Sequence, residues 1–143
     1  MAINHNHLLL RMEIENSPIQ KDIPTIKKLL KQIILDLNMN MLGTPHIYYL
    51  DTPKSNKGIT GTVSIATSHL SFHIWESPKD TLVNKYSKGL LQFDIYTCGE
   101  LTKSHINNVL KHLDIFSPTN IDLNVFDRKK NLKLKYNYTW NKV

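Results

Sequence analysis

The sequence predicts an α+β fold, a largely antiparallel sheet with two helices on one face. Three observations predict it. Seven short stretches carry the alternation or compact apolar run of a strand. Two longer ones space their apolar residues three and four apart, as one face of a helix does. The order strand, helix, strand, strand occurs twice, hinting at two related halves.

In chain order, "LLLRMEI" reads as the first strand. The stretch "DIPTIKKLLKQIILDLN" follows as a helix, with Asp22 as N-cap and Pro24 in the first turn. Its apolar face is Ile26, Leu29, Leu30, Ile33, Ile34 and Leu37. Four strands come next: "HIYYL", "GITGTVSIA", "LSFHIW" and "LLQFDIYT". A second helix runs from Thr102 to His112, with Ile106, Val109, Leu110 and Leu113 apolar. The strands "IDLNVF" and "LKLKYNYTW" close the order, and "ESPKDTLVNKYSKG" is the one long irregular connection.

Between the third and fourth strands the phase slips. Ile59, Val63 and Ile65 are odd, whereas Leu70, Phe72 and Ile74 are even, so no single strand keeps both sets in one core. The slip falls at Thr67-Ser68-His69, where no Gly, Pro or Asn marks a turn.

The opposite face of these strands is polar. It carries Thr60, Thr62 and Ser64, then Ser71, His73 and Trp75, then Gln92, Asp94, Tyr96 and, if the strand continues, Cys98. Such a face is either solvated, as in many antiparallel sheets, or covered. Trp75, Tyr96 and the lone cysteine favour at least partial cover by a second copy of the chain.

Composition narrows the class. At 143 residues, 41% hydrophobic and 21% charged, the chain reads as one globular domain spanning residues 1–143. No apolar run is long enough for a membrane span and the start lacks signal-peptide charge layout, so no membrane association and a cytoplasmic site are expected. Cys98 has no internal disulfide partner. A net charge of +6 raises the question of nucleic acid. In the basic tail, however, Lys133 and Lys135 alternate with Leu134, Tyr136, Tyr138 and Trp140, so lysines and aromatics lie on opposite strand faces. Nucleic-acid binding wants both on one surface, and none is expected. No metal is expected either: His69 and His73 in a strand stand roughly 13 Å apart, and His5 and His7 lack a third ligand. Ser68 and His69 make no triad on their own, since adjacent strand side chains point apart. The glycines of "GITG", inside a strand, mark a bulge or a close backbone approach.

The pair "GITGTVSIATSHLSFHIW" and "LLQFDIYTCG" resembles the short prokaryotic S-adenosylmethionine decarboxylases, pyruvoyl-dependent proenzymes of spermidine biosynthesis. Their pattern is a Gly-hydroxyl-Gly strand, then Glu-Ser-His-Leu-Ser/Thr-Ile-His-x-Trp, then Asp-x-Phe-Thr-Cys-Gly. The resemblance implies that Ser68 attacks the Thr67 carbonyl and that the chain cuts itself between them. The new chain then begins with a pyruvoyl group derived from Ser68. Thr60 matches the hydroxyl that stabilises the oxyanion, and His73 the histidine that moves the proton in the elimination. Cys98 matches the acid that protonates the substrate carbon after the pyruvoyl ketone has taken the amine as a Schiff base and carbon dioxide has left. For substrate, Tyr48 or Tyr49 is expected to stack on adenine, near Trp75, with Glu76 on the ribose. Two departures stand out: Thr67 replaces the usual Glu, and Trp75-Glu76-Ser77 replaces Trp-Pro-Glu. The family also implies a homodimer or higher homo-oligomer, with the polar faces paired as an α/β/β/α sandwich and the site built between two chains. On this resemblance the phase slip marks a strained, non-strand peptide rather than an ordinary turn.

Three readings follow. One is decarboxylation of S-adenosylmethionine. Another is a pyruvoyl-dependent decarboxylase of a different amine, ornithine or arginine. The third is an unprocessed, non-catalytic homologue that binds a ligand or partner.

Overall fold

The computed structural model describes residues 3–78, 83–84 and 87–142. Nine principal elements follow one another: β1 (Asn6–Ile14), α1 (Ile23–Asp36), β2 (Met41–Leu50), β3 (Gly58–Ile65), β4 (Ser68–Trp75), β5 (Gly89–Thr97), α2 (Lys103–Leu113), β6 (Pro118–Asp127) and β7 (Lys133–Asn141). The strands form one seven-stranded sheet in the order β2-β3-β4-β5-β1-β6-β7. Every pairing is antiparallel.

One face of the sheet is the core. Leu8, Leu10 and Met12 of β1, Ile59 and Val63 of β3, Leu70 and Phe72 of β4, and Leu91 and Phe93 of β5 belong to a single apolar cluster. Ile26, Leu30 and Ile33 of α1 and Ile106, Val109 and Leu113 of α2 join the same cluster, so both helices cover the same face. Full burial of each such side chain stabilises the fold by about 1.5–3 kcal/mol. Among the described residues no helix is long and apolar enough to cross a membrane.

The helices end for local reasons. Thr102 caps α2: its Oγ1 accepts from the His105 amide at 3.2 Å, while His105 Nδ1 accepts from the Thr102 amide at 3.1 Å. Asp22 does not cap α1 as expected. Its Oδ2 accepts from the Ile19 amide at 2.8 Å and so closes the short 3-10 turn that precedes the helix.

Three sequence readings need correction. The phase slip is a turn after all: Ile65 pairs with Ser68, leaving Ala66-Thr67 as a two-residue hairpin loop. Directly opposed residues share a face, so the odd inward set of β3 becomes the even inward set of β4. Strand β2 begins at Met41 rather than His46, because this edge strand tolerates Pro45 and takes up Gly43 (φ 69°) in an irregular stretch between Leu42 and His46. Between β6 and β7 the register shifts at Val125/Phe126, which pairs Leu134 with Phe126 and leaves Lys135 to donate from Nζ to Asn6 Oδ1 at 3.0 Å. The strict lysine-out alternation is therefore broken at that point. The order strand, helix, strand, strand does occur twice, as β1-α1-β2-β3 and β5-α2-β6-β7, with β4 between the two. The long connection 76–89 lies partly outside the described residues.

The glycines of "GITG" do mark close approach. Gly58 has φ 153°, and a Cβ there would lie 1.8 Å from the Ile74 carbonyl oxygen. A Cβ on Gly61 would lie 2.5 Å from the Phe72 ring.

Candidate active site

The β3–β4 hairpin delivers Ser68 to the end of the sheet in an unusual backbone conformation. Its φ is 145°, a region that L-residues rarely enter and that costs of order 1–3 kcal/mol. Strand β5 holds the peptide in front of it. Ser68 pairs with Thr97, and the next amide, Cys98 N–H, donates to the Thr67 carbonyl oxygen at 3.0 Å. The Thr97 hydroxyl donates to Thr67 Oγ1 at 2.7 Å and accepts from the Gly99 amide at 2.9 Å. Ser68, Thr67 and Cys98 are thus brought together, with Cys98 exposed. The serine is both in a turn and strained, so the two alternatives posed by the phase slip hold at once.

The positive φ also swings Ser68 toward its neighbour. Ser68 Oγ lies 3.4 Å from His69 Nδ1, and His69 Nε2 lies 3.3 Å from Asp94 Oδ2. The expectation that adjacent side chains point apart fails here, because it presumes regular strand dihedrals and Ser68, the first residue of β4, has a φ of 145°. Register explains the rest of the cluster. His69, Tyr96 and His7 form one cross-strand row, and Ser71 and Asp94 lie in the row beside it. Asp94 accepts from His7 Nε2 at 2.8 Å and from the Ser71 hydroxyl. Arg128 Nη1 donates to His7 Nδ1 at 3.2 Å, and its guanidinium lies 4.1 Å over the Tyr96 ring centroid. Sequence reading had put Asp94 on this face but gave it no role. His7 was legible too: Leu8, Leu10 and Met12 face the core, so position 7 must face away.

A second cluster lies further along β4. His73 is directly opposite Thr60, whose hydroxyl donates to the Phe72 carbonyl at 3.3 Å. The His73 ring packs on Trp75 with centroids 4.0 Å apart, and Trp75 Nε1 donates to Asn56 Oδ1 at 3.1 Å. Burial holds the His73 imidazole below its ordinary pKa, and its Nε2 is buried with no hydrogen-bond partner among the described residues. Thr60, Ser71, His73, Gln92, Asp94 and Asp122 line one shallow groove of about 640 Å³ on the polar face. That volume suits a small-molecule ligand. Five residue steps along extended β4 separate Ser68 from His73, about 16 Å at the usual rise per residue. One chain therefore does not bring Thr60 and His73 to Ser68.

The expected substrate residues divide between the faces. Tyr48 pairs with Thr60 and is 60% exposed on the polar side, the side that Trp75 shares. Tyr49 pairs with Ile59 on the helix side, and its hydroxyl donates to Glu76 Oε2 at 3.0 Å. Lys57 Nζ lies 3.5 Å from the same carboxylate oxygen. Glu76 and Tyr49 satisfy each other away from the groove.

Comparison with known proteins settles the kinship. The sequence profile of the family described as S-adenosylmethionine decarboxylase matches residues 6–129. The chain belongs to the S-adenosylmethionine decarboxylase family. It is 34% identical over 73 residues to an S-adenosylmethionine decarboxylase proenzyme of Hydrogenobaculum sp. (strain Y04AAS1), covering 50% of this chain and 45% of that protein. It is 29% identical over 100 residues to the proenzyme of Thermodesulfovibrio yellowstonii, covering 70% of this chain and 63% of that one. These matches span only about half to two thirds of the relatives' lengths. Among solved structures, a phage SAM lyase in complex with S-methyl-5'-thioadenosine aligns with 99% of this chain and 93% of its own. Its TM-score is 0.41 and its sequence identity 9%, too low for any residue of this family member to be read from it.

Proposed function

We propose that this protein is a self-processing decarboxylase of S-adenosylmethionine whose product feeds spermidine synthesis in the cytoplasm. The observation that carries the reading is Ser68: a serine in a strained conformation, following a carbonyl that already accepts a backbone N–H from Cys98. That setting fits the formation of a pyruvoyl group by cleavage between Thr67 and Ser68. The serine oxygen serves as nucleophile and later as leaving group. The Cys98 amide is aimed at the oxygen on which charge develops. Thr67 does not obstruct this arrangement, since its side chain is turned to Thr97.

A pyruvoyl group at position 68 supplies the electron sink for loss of the substrate carboxylate. The residues around it bind, orient and move protons. In this reading Cys98, exposed beside Ser68, donates the Sγ proton to the substrate carbon. The groove on the polar face receives the substrate, and Tyr48 and Trp75, which neighbour its lining residues Thr60 and His73, offer aromatic surfaces for adenine. Glu76, engaged by Tyr49 and Lys57, is not part of that surface in this reading.

The 16 Å gap between His73 and Ser68 supports assembly. Two chains packed polar face to polar face about a two-fold axis would bring Thr60 and His73 of one toward Ser68 of the other. His73 then removes the proton that drives elimination of the ester.

Intact mass of the purified protein tests processing. Two fragments divided at Thr67/Ser68 are expected, and Ser68→Ala should remain whole. Labelled carbon dioxide should be released from S-adenosylmethionine and not from ornithine or arginine. Release from either of those alone would overturn the substrate and leave the cofactor standing. A folded wild-type chain that stays intact would make it a non-catalytic homologue.

A further inference from the structure

At the turn end of the polar face, Arg128, His7, Asp94, His69 and Ser68 form one connected line of hydrogen bonds. Their chemistry fixes where the protons sit. A guanidinium only donates, so His7 Nδ1 accepts from Arg128 and His7 Nε2–H donates to Asp94. A carboxylate only accepts, so His69 also donates its Nε2–H to Asp94. The remaining ring nitrogen, His69 Nδ1, is then a bare acceptor facing the Ser68 hydroxyl at 3.4 Å. The Ser71 hydroxyl takes the other Asp94 oxygen and fixes the carboxylate. This is the order of groups that activates a serine nucleophile elsewhere, assembled here by a positive φ between neighbours.

We propose that His69 is the base that takes the Ser68 hydroxyl proton in self-cleavage and that Asp94 is its positioning residue. The proposal rests on the reading of Ser68 as the cleavage site. In the step, the Oγ proton passes to His69 Nδ1 as Oγ bonds to the Thr67 carbonyl carbon. The carbonyl electron pair moves onto the Thr67 oxygen, which accepts from Cys98 N–H. As the tetrahedral centre collapses, the bond from carbon to the Ser68 nitrogen breaks and the Nδ1 proton goes to that nitrogen. An ester and a free amine result, and no oxidant, reductant or co-reactant is consumed. His69 thus acts before the ester exists, whereas His73 acts after it.

That order gives the test. Wild type, His69→Ala, His69→Gln, Asp94→Asn and His73→Ala are purified, their folds compared by near-ultraviolet circular dichroism, and cleavage followed by intact mass with and without hydroxylamine, which cuts esters. His69→Ala should form fragments at least about 100-fold more slowly than wild type, the usual scale of general base catalysis. It should be insensitive to hydroxylamine, and added imidazole should restore part of its rate. His69→Gln serves the same comparison if the alanine variant does not fold. Asp94→Asn should be slower than wild type, and the His69→Ala/Asp94→Asn double variant no slower than His69→Ala alone, because Asp94 acts through His69. Cleavage of His69→Ala at the wild-type rate, or hydroxylamine-sensitive accumulation in it, would overturn the role of His69 while leaving Ser68 as the cleavage site. A folded wild type that never cleaves would overturn both.

Discussion

His73 carries a ring packed on Trp75 and a buried nitrogen without a partner among the described residues, and its protonation is opposed by that burial. Its pKa in the folded chain lies below the ordinary value of 6.5. The unfolded chain therefore binds the proton more readily, and stability falls as pH drops below about 6.5. Thermal unfolding from pH 8 to 5 should show that decline, and His73→Gln should make it shallower; an unchanged slope would place the titration elsewhere. At this scale much of the site was legible. The types and order of Ser68, His73 and Cys98 stand in the sequence, and strand alternation placed Thr60, His73 and Asp94 on one face. The link from Ser68 to His69 was not legible, because it depends on a φ of 145° that no residue type at that position advertises. The partners of Glu76, Tyr49 and Lys57, were not legible for a related reason: they come from β2 and from just before β3.

At the scale of elements, periodicity found all the strands and both helices, and it failed where an element departs from its period. Strand β2 hides behind Gly43 and Pro45, and the register shift near Lys135 in β7 reverses side-chain direction without any sequence punctuation. Capping was legible as a position but not always as a bond. Thr102 caps α2 reciprocally with His105, so Thr102→Ala should cost about 1 kcal/mol in urea unfolding. Asp22→Ala should not show that loss from α1, since its carboxylate bonds the turn before the helix. The β3–β4 hairpin is more sensitive. Gly58→Ala would force a Cβ against the Ile74 carbonyl at a φ of 153°, and should destabilise by at least about 3 kcal/mol. If it does not, β3 and β4 are not in the register described.

At the scale of the molecule, a sheet with helices on one face leaves the other face to be explained. That face carries the groove, the His7–Asp94–His69 cluster and the Thr60–His73 pair, and within one chain its two histidine clusters are too far apart to serve one serine. A two-fold pairing of such faces would make two sites, each taking Ser68 from one chain and His73 from the other. Co-expression distinguishes this from a site within one chain. Alone, His73→Ala should stall at the ester and Ser68→Ala should remain whole. Mixed, the heterodimer holds one site with both defects and one with neither, because the His73→Ala chain keeps its own Ser68 and the Ser68→Ala chain supplies an intact His73. The His73→Ala chain, tagged for mass, should then be processed, and only about half of the sites in each heterodimer should become active. Continued stalling of that chain, in mixtures that sedimentation shows to contain heterodimers, would mean that His73 serves its own chain. The two clusters would then have to meet by a rearrangement of β4 rather than by assembly.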